Sequence, residues 1–458
     1  MNLVEAYKKR IAVAESLYTK SHNGEAMSSN MKLVTAACLN NVSKFLNEAF
    51  TQDAATQADS SGTNNLGMYK KFALNLTNLA LPNLIAPEIV MVHPMTSWSG
   101  YVTYMDYSTG IKKGETPAGK TLNGLFGFGD FNNDRVNYSG QAVVETFEAD
   151  PTGKVAWTPV IEGSAVGYKS NGDVVEGLTV AADGTIGGIT TDVRKIAYKY
   201  DNVIIPQDKI PTVVGHMNGT SLQAKARRLA IHYSQFAAFQ SKTDYGFDLA
   251  EDLARTATGE LAYEIDSEIV SLLKDGADFT GSEFVFNAAP AVGVSMSQQA
   301  EGFARVIELA AAKIYNKTGK FRPNYMLIGA DIMPVITFLK GFVPASVQAV
   351  AGPYLAGTYN GMKVFVSPMF TTDETNGTPF VLGVNQDKVS AAVYAPYMPV
   401  VPTALLQGPD GGTHQGFSTL YDAKLIGTNA DGKSPVLAGG YVKFDAAAAQ
   451  IVTTKTQG

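Results

Sequence analysis

The stretch LALPNLIAPEIVMVHPMTSWSG, residues Leu79–Gly100, is an apolar run in which Glu88 is the only acidic or basic residue apart from a histidine. Pro82, Pro87 and Pro94 interrupt it. Each proline removes a backbone donor and disfavours the helical conformation of the residue before it. The run is therefore a poor candidate for a long helix, a central strand or a membrane span, which needs about 20 residues of helix. We expect an extended segment that the rest of the fold, or a second copy of the chain, must cover.

The composition around this run is typical of a large globular protein. The chain has 458 residues, of which 45% are hydrophobic and 17% are charged. Its length suits two or three domains, and its low charge indicates much buried or interface-forming surface. The net charge of −6 gives no general basic footprint for nucleic acid or for an anionic membrane.

The single cysteine and the N-terminus limit the cellular context. Cys38 has no partner for an internal disulfide, and we expect a buried, inert thiol. Residues 1–20 contain no apolar stretch of the kind found in secretory signals, so we expect synthesis in the cytoplasm.

The segments on either side of the run differ in character. Residues 1 to about 50 have a loose helical periodicity, whereas residues 52–65 are polar and predict a linker or a mobile arm. Residues 112–215 contain short β-prone pieces separated by Asp150–Gly153, Asn171-Gly172 and Asp183-Gly184, which indicates antiparallel β structure. The charged, glycine-containing segment 112–124 that opens this region predicts an exposed loop.

The strongest helix signal lies at Asp248–Gly276. Asp248 is a good N-cap with Glu251 three residues later, and apolar residues then recur every three or four positions. Such a helix is roughly 40 Å long. We expect its opposite face to be acidic, with Glu251, Asp252, Glu260, Glu264, Asp266 and Glu268.

The C-terminal part has the pattern of an α/β region. Ser295 and Gln298 form a capping-box pattern at the start of a second helix. Residues 324–329 predict a buried strand, and Asn360-Gly361 predicts a two-residue hairpin between strands 354–359 and 362–367. Further strands are expected at 380–384, 391–394, 419–426 and 440–444.

Patterns that carry chemistry are mostly absent from the sequence. The histidines are scattered, and there is no HExxH motif, phosphate-binding glycine loop or GxSxG motif. The segment Asp130–Asp134 begins like a calcium loop, but Arg135 and Gln141 occupy positions that need glycine and glutamate. We therefore predict no catalytic residues, no cofactor and no metal site, and a protein that is not an enzyme.

A compact basic cluster consists of Lys225, Arg227 and Arg228. It could contact an anion such as DNA, or it could pair with an acidic helix face in the same or a neighbouring subunit. The second interpretation is favoured because the chain is acidic and the cluster lacks interleaved aromatic residues.

Three blocks of the sequence resemble one family. They are residues 80–100, residues 224–270, which end in a repeated Glu-Ile pattern, and Val393–Tyr397 with the strand up to Tyr421. Together and in this order, they are similar to the major capsid proteins of T-even-type myoviruses, which are tailed bacteriophages. The resemblance spans most of the chain.

The resemblance implies an α+β protein with the Hong Kong 97-type capsid fold. By analogy, residues 1–98 are the N-terminal arm and its lead-in, and residues 99–215 are an extended β loop (E-loop) with a β-rich insertion. Residues 216–290 are then a peripheral domain built on the long spine helix, and residues 291–458 an axial domain.

The implied function is that of a structural protein of an icosahedral phage head. The chain would form hexamers, and pentamers if it also occupies the vertices, around double-stranded DNA that it does not read by sequence. Implied partners are copies of itself and vertex, portal, scaffold and decoration proteins, with no membrane. The expected location is the virion, after assembly in the host cytoplasm. The alternatives are an encapsulin-like nanocompartment shell and a β-rich surface binding module.

The resemblance also suggests candidate sites. A prohead protease of this family cuts after the glutamate of Leu/Ile-x-Glu, a pattern present at Leu46–Glu48 before Ala49 and at Leu3–Glu5 before Ala6. Candidate inter-subunit contacts are Pro82, Pro87, Lys112, Lys113, Glu115, Lys225, Arg227 and Arg228.

Overall fold

The computed structural model describes residues 3–21, 24–53, 73–77, 80, 84–119, 121–122, 138–188, 192–281, 284–289, 293–345, 352–373, 376–386, 389–403, 406–408, 412–428 and 431–444. The chain divides into two compact units. The first comprises Met1–Thr103, Gly219–Tyr315 and Phe321–Gly458. The second comprises Tyr104–Asn218 and Asn316–Lys320. The predicted linker at 52–65 and the calcium-like segment 130–134 fall largely or wholly outside the described residues.

The α-helices are α1 (Leu3–Ala6), α2 (Lys8–Ser21), α3 (Ser29–Asp53), α4 (Ala86–Ile89), α5 (Gln235–Asp244), α6 (Leu249–Gly276), α7 (Met296–Thr318) and α8 (Met333–Thr337). Short 3-10 turns lie at Gln207–Lys209 and Ala330–Ile332.

The strands are β1 (Met91–Val92), β2 (Ser99–Thr109), β3 (Thr121–Leu122), β4 (Ala142–Thr146), β5 (Val166–Lys169), β6 (Val174–Val175), β7 (Thr179–Val180), β8 (Ile186–Gly187), β9 (Val193–Lys199), β10 (Val213–Gln223), β11 (Lys225–Ser234) and β12 (Val285–Asn287). They continue with β13 (Tyr325–Gly329), β14 (Phe342–Pro344), β15 (Tyr354–Tyr359), β16 (Met362–Ser367), β17 (Thr378–Gly383), β18 (Asn385–Gln386), β19 (Val389–Ser390), β20 (Ala392–Pro402), β21 (Leu406–Gln407), β22 (Gly412–Leu425) and β23 (Leu437–Lys443).

One sheet of the first unit supports the long helix α6. Its order is β1-β20-β22-β11, with β21 beside β22, and only the β1–β20 pair is parallel. Ala257 and Leu261 of α6 pack in one buried cluster with Phe417 of β22 and Val400 of β20. The sheet thus draws strands from segments that are far apart in sequence and places them under one helix.

The first unit also contains a seven-stranded sheet. Its order is β12-β23-β17-β13-β16-β15-β14. All five residues of β13 are buried, as expected for a central strand, and β15 and β16 form the hairpin expected at Asn360-Gly361. Asn360 has φ +47° and Gly361 φ +80°, the left-handed conformations that this turn requires.

The second unit is mostly antiparallel β structure. One sheet has the order β4-β9-β5-β6, and β7 pairs with β8. The turns expected at Asn171-Gly172 and Asp183-Gly184 join β5 to β6 and β7 to β8. Its core includes Trp157, Ile196 and Tyr200.

The long strands β2 and β10 lead into the second unit and out of it. They form a three-stranded sheet of order β10-β2-β3. Ten of the eleven residues of β10 are exposed or half-buried. A ribbon with so few buried residues is stabilised little by packing against the core of its own chain.

The starts of the two long helices were predicted correctly, and one local prediction on α6 was wrong. Asp248 caps α6 by accepting from the backbone N–H of Ala250 at 3.1 Å, and Ser295 and Gln298 form the expected capping box. Asp266, however, is buried and not on the solvent face of α6. The charged start of the 224–270 block is strand β11, because it pairs along its whole length with β22.

Candidate assembly surfaces

The proline-broken run is covered largely by its own subunit between residues 84 and 95. Leu84, Ala86, Ile89 and Met95 are all buried. The described part of the run contains the four-residue helix α4, the two-residue edge strand β1 and the first residues of β2, which agrees with the exclusion of a long helix or central strand.

The sequence pattern suggested that the prolines would keep the whole run extended and out of a helix. Part of the run is nevertheless helical. Pro87 lies in the first turn of α4 and is half-buried. Proline is tolerated there because the first turn of a helix does not use its N–H groups. Pro82 lies outside the described residues.

Side chains from distant parts of the first unit complete the hydrogen bonds of the run. The carboxylate of Asp266 accepts from the backbone N–H groups of Ile85 and Ala86, both at 3.2 Å. Asn385 donates to Glu88 O at 2.9 Å, and Asn41 donates to Met95 O at 2.8 Å. These contacts fix the run between α6, α3 and the β18 strand.

Of the three side chains named above, only Asp266 is titratable, and its surroundings shift its pKa. Burial raises its pKa to about 7, although the backbone N–H groups of Ile85 and Ala86 oppose that shift. The sequence carried a signal for this placement: Asp266 is four residues after Ala262 and three before Ile269, both buried on the apolar face of α6. Its charge alone had suggested a solvent-facing position.

Lys113 is buried, so the prediction of an exposed loop at 112–124 was wrong at this residue. Its ammonium donates to Tyr138 O at 3.0 Å and to Gly140 O. It also lies 4.9 Å from the ring centre of Tyr200 and 5.6 Å from that of Trp157. Carbonyl acceptors and aromatic faces replace water around the cation, and burial lowers its pKa to about 8.

Lys112 and Glu115, on either side of Lys113, are exposed, as expected. Lys112 points to the surface. Glu115 accepts from Thr146 Oγ1 at 2.7 Å and pairs with Lys195 at 2.9 Å. The hydrogen bond from Thr146, followed by that from Lys195, lowers the pKa of Glu115.

The basic cluster is divided between the two faces of β11. Arg227 pairs with Glu268 of α6 and lies over the ring of Tyr421, 5.2 Å from its centre. This is the favoured pairing with an acidic helix residue of the same subunit. Lys225 and Arg228 are exposed.

Large exposed apolar side chains concentrate in two stretches of the described chain. The first follows the β-rich part of the second unit and includes Val203, 89% exposed, and Met217, 74% exposed. The second is on and after α5 and includes Phe236, 84% exposed, and Tyr245. Groups of exposed apolar side chains are typical of interaction surfaces, so these two stretches are candidate assembly surfaces.

Comparison with known proteins decides the family. The family model "Major capsid protein Gp23" matches residues 66–433. The chain belongs to this family. A curated relative, the major capsid protein of Vibrio phage KVP40, is 24% identical over 411 residues, which are 77% of this chain and 75% of the relative.

Solved structures from other phages are similar over much of the chain. A structure from Microbacterium phage Oxtober96 covers 79% of this chain and 91% of its own, with 11% identity and a TM-score of 0.37. One from Mycobacterium phage Adephagia covers 78% and 88%, with 10% identity and a TM-score of 0.34. These scores carry no argument by themselves, and the assignment rests on the family match.

Membership in the Gp23 family confirms the resemblance seen in the sequence. The chain is a phage major capsid protein, a component of the icosahedral shell and thus of the virion. This agrees with the α+β class and the Hong Kong 97-type assignment. The match favours a phage shell over a nanocompartment shell or a surface binding module.

Both candidate cleavage patterns of this capsid protein lie in helices. Glu5 and Ala6 belong to α1, whereas Glu48 and Ala49 belong to α3. Glu48 is exposed. Cleavage at either bond remains a prediction, and it would require local unwinding, because a helix hides its backbone amides in hydrogen bonds.

Groups suited to chemistry are sparse in the part of the chain that the structure describes. No cluster of three or more His, Cys, Asp or Glu residues there could hold a metal ion. Cys38 is buried, and burial raises the pKa of its thiol to about 12. None of the described helices has the length and apolar character needed to span a membrane.

Proposed function

We propose that copies of this chain assemble into hexamers, with pentamers at the vertices, and that the β2–β10 ribbon is one of the surfaces that join neighbouring copies. The shell encloses double-stranded DNA without reading its sequence. The protein acts through geometry and not through catalysis.

The exposed ribbon is the observation that carries the proposal. Val213 and Met217 of β10 are four residues apart and therefore lie on the same face, and both are exposed. The eleven residues of β10 contain no Asp, Glu, Lys or Arg. Long, uncharged, exposed strands are a liability in a monomer, so we infer that a second copy covers this one.

The remaining parts of the proposal follow from the family and the charge. Because the chain is acidic, it should not bind the phosphates of packaged DNA tightly. We therefore expect that the inner surface of the shell does not hold the DNA in place. Assembly in the host cytoplasm and contacts with vertex, portal, scaffold or decoration proteins are part of the same proposal. The four segments 1–98, 99–215, 216–290 and 291–458 remain its proposed division.

The test is assembly of a chain with an altered ribbon. We expect Met217→Asp to remain folded but to form few or no shells, because it places a charge where a neighbouring apolar surface would desolvate it. Negative-stain electron microscopy and size-exclusion chromatography measure assembly, and circular dichroism measures folding. Deleting residues 112–122 is a less specific test, since it removes the buried Lys113 from the second unit.

The matched control is Val174→Asp, which places the same charge at an exposed valine of β6. We expect this variant to assemble normally. Normal shells from Met217→Asp would contradict the proposal that the ribbon joins neighbouring copies. Equal loss of shells in both variants would contradict it as well, because the effect would then not be specific to the ribbon.

A further inference from the structure

Helix α3 contacts strands β20 and β1, and it therefore lies against the proline-broken run that contains β1. Its buried apolar residues recur every three or four positions, at Met31, Val34, Cys38, Val42 and Leu46. Residues with this spacing share one face of a helix. The apolar face of α3 is thus covered by other parts of the chain.

Two asparagines of α3 fix its position on this surface. Asn41 is buried, and its side-chain amide donates to Met95 O at 2.8 Å and to Tyr397 O at 3.0 Å. The amide of Asn30 donates to Val92 O at 3.4 Å. The two asparagines are about 16 Å apart along the helix axis, so their bonds set both the register and the direction of α3. Val92 and Met95 belong to the run and Tyr397 belongs to β20, so α3 is bonded to both segments.

The residues just before α3 are held on the same unit. Met27 is buried, and Glu25 accepts from Lys363 Nζ of β16 at 2.6 Å. The same ammonium donates to Glu88 of α4 at 3.2 Å. Lys363 thus connects the segment before α3 with the run and with the seven-stranded sheet. Because Glu25 and Lys363 are partly exposed, this pair contributes more to position than to strength.

From these contacts we propose that the surface made by β20 and the run around β1 is a helix-binding site, which holds residues 24–53 without the covalent link to the rest of the chain. The inference concerns the unassembled subunit and is independent of the assembly proposal. The contacts that carry it join residues 25–46 to residues 88–397, and none of them depends on the peptide chain between. The partner that fits this surface is an amphipathic helix with an apolar residue every three or four positions and an amide donor at the place of Asn41.

Binding without the link has a cost that the intact chain avoids. A free segment must become helical as it binds, and it lacks the high effective concentration that the link provides. The buried face of α3 must offset this cost, and it includes Leu39 and Val42, which have no exposed surface. We therefore expect the segment to stay bound when the chain is cut, and to exchange with an excess of free segment.

The first experiment cuts the folded full-length chain and determines whether the two parts stay together. A protease recognition sequence is inserted between Ser60 and Ser61, in the segment 52–65 that the sequence predicts to be a linker. Denaturing gel electrophoresis confirms the cut. We expect the N-terminal fragment to elute with the remainder in native size-exclusion chromatography; separate elution of the two parts would overturn the proposal.

A competition measurement then tests the buried face of the helix. A labelled peptide with the sequence of residues 24–53, incubated in excess with the cut chain, should displace the fragment and elute in its place. The Leu39→Asp peptide should need about a thirtyfold or higher concentration, because it places a charge on the buried face. The substitution is in the peptide, so it cannot damage the fold of the chain.

The matched control is the Leu33→Asp peptide, which alters a leucine of the same helix that is 43% exposed. Its helix propensity falls as much as that of the Leu39→Asp peptide, so only the buried contact distinguishes the two. We expect it to compete within about threefold of the wild-type peptide. Equal competition by the two variant peptides would overturn the proposal.

Discussion

At the scale of single residues, Asp266 links the two most informative parts of the sequence. It lies on the long helix α6, and its carboxylate accepts from two backbone N–H groups at the start of α4, within the proline-broken run. These groups belong to the N-cap and to the first residue of a short helix, where backbone N–H groups have no intrahelical partners. The contact therefore stabilises a segment that cannot satisfy its own backbone.

We predict that at pH 5, where the buried carboxyl is protonated, Asp266→Asn destabilises the protein by about 1–3 kcal/mol, because an amide NH₂ group, which cannot accept, replaces a carboxyl oxygen that can accept from a backbone N–H. Urea denaturation followed by circular dichroism measures the free energy of unfolding. The matched control is Glu264→Gln, which removes an exposed charge from the same helix and should change stability little. Equal stability of the two variants would contradict a bonding role for Asp266.

The same residue predicts a dependence on pH. The pKa of Asp266 is raised to about 7 in the folded chain from an ordinary value of 3.8, so the folded state binds this proton more tightly than the unfolded state does. Its contribution to stability is greatest below about pH 4 and is lost as the pH rises to about 7. The stability difference between the wild type and Asp266→Asn should therefore shrink from pH 5 to pH 7.5; a constant difference would show that the carboxyl does not titrate in this range.

At the scale of elements, α6 shows how local and tertiary requirements differ within one helix. Gly259 lies in its interior, where an added Cβ would meet nothing within 4 Å. Gly276 ends the helix, where a Cβ would lie 2.8 Å from both methyl carbons of Leu425 on β22. The first glycine is not needed for packing, whereas the second permits the close approach of helix and sheet.

We predict opposite effects of the same substitution at these two glycines. Gly259→Ala should raise the free energy of unfolding by about 0.5–1 kcal/mol, because alanine loses less backbone entropy in a helix. Gly276→Ala should lower it by about 0.5–1.5 kcal/mol, because the half-buried side chain of Leu425 must leave its present rotamer. Thermal and urea denaturation of both variants test the pair; a stabilising Gly276→Ala would show that the contact with Leu425 is not tight.

At the scale of the whole molecule, the chain combines compact units with surfaces that its own core does not cover. The ribbon of β2 and β10 and the aromatic residues around α5 are largely exposed, while the strands β13, β17 and β20 of the first unit are almost wholly buried. A shell protein must hold its own fold and still offer area to its neighbours. Cleavage by a prohead protease at either candidate site would remove residues from the N-terminal helices.

If a prohead protease processes the chain, it should cut after Glu48, and peptide mass spectrometry of purified virions should find Ala49 as the new N-terminus. Unassembled chain expressed alone is the control and should keep the peptides from residues 1–48. An intact Met1 peptide at full abundance in virions would rule processing out.

The sequence alone determined those features that depend on neighbouring residues. The caps at Asp248 and Ser295, the hairpin at Asn360-Gly361 and the turns at Asn171-Gly172 and Asp183-Gly184 follow from backbone preferences and short-range hydrogen bonds, which a local pattern records. The family resemblance followed from blocks of sequence in order, and the family match confirmed it.

The tertiary structure decided which polar groups are buried and which segments meet. Asp266 and Lys113 looked like surface charges, and only the packing of α4 on α6, and of aromatic rings around Lys113, shows them inside. The register of β11 against β22 likewise places His232 directly opposite His414, although the two are far apart in the sequence. Burial and strand pairing depend on long-range contacts, so the charge or spacing of a residue in the chain does not specify them.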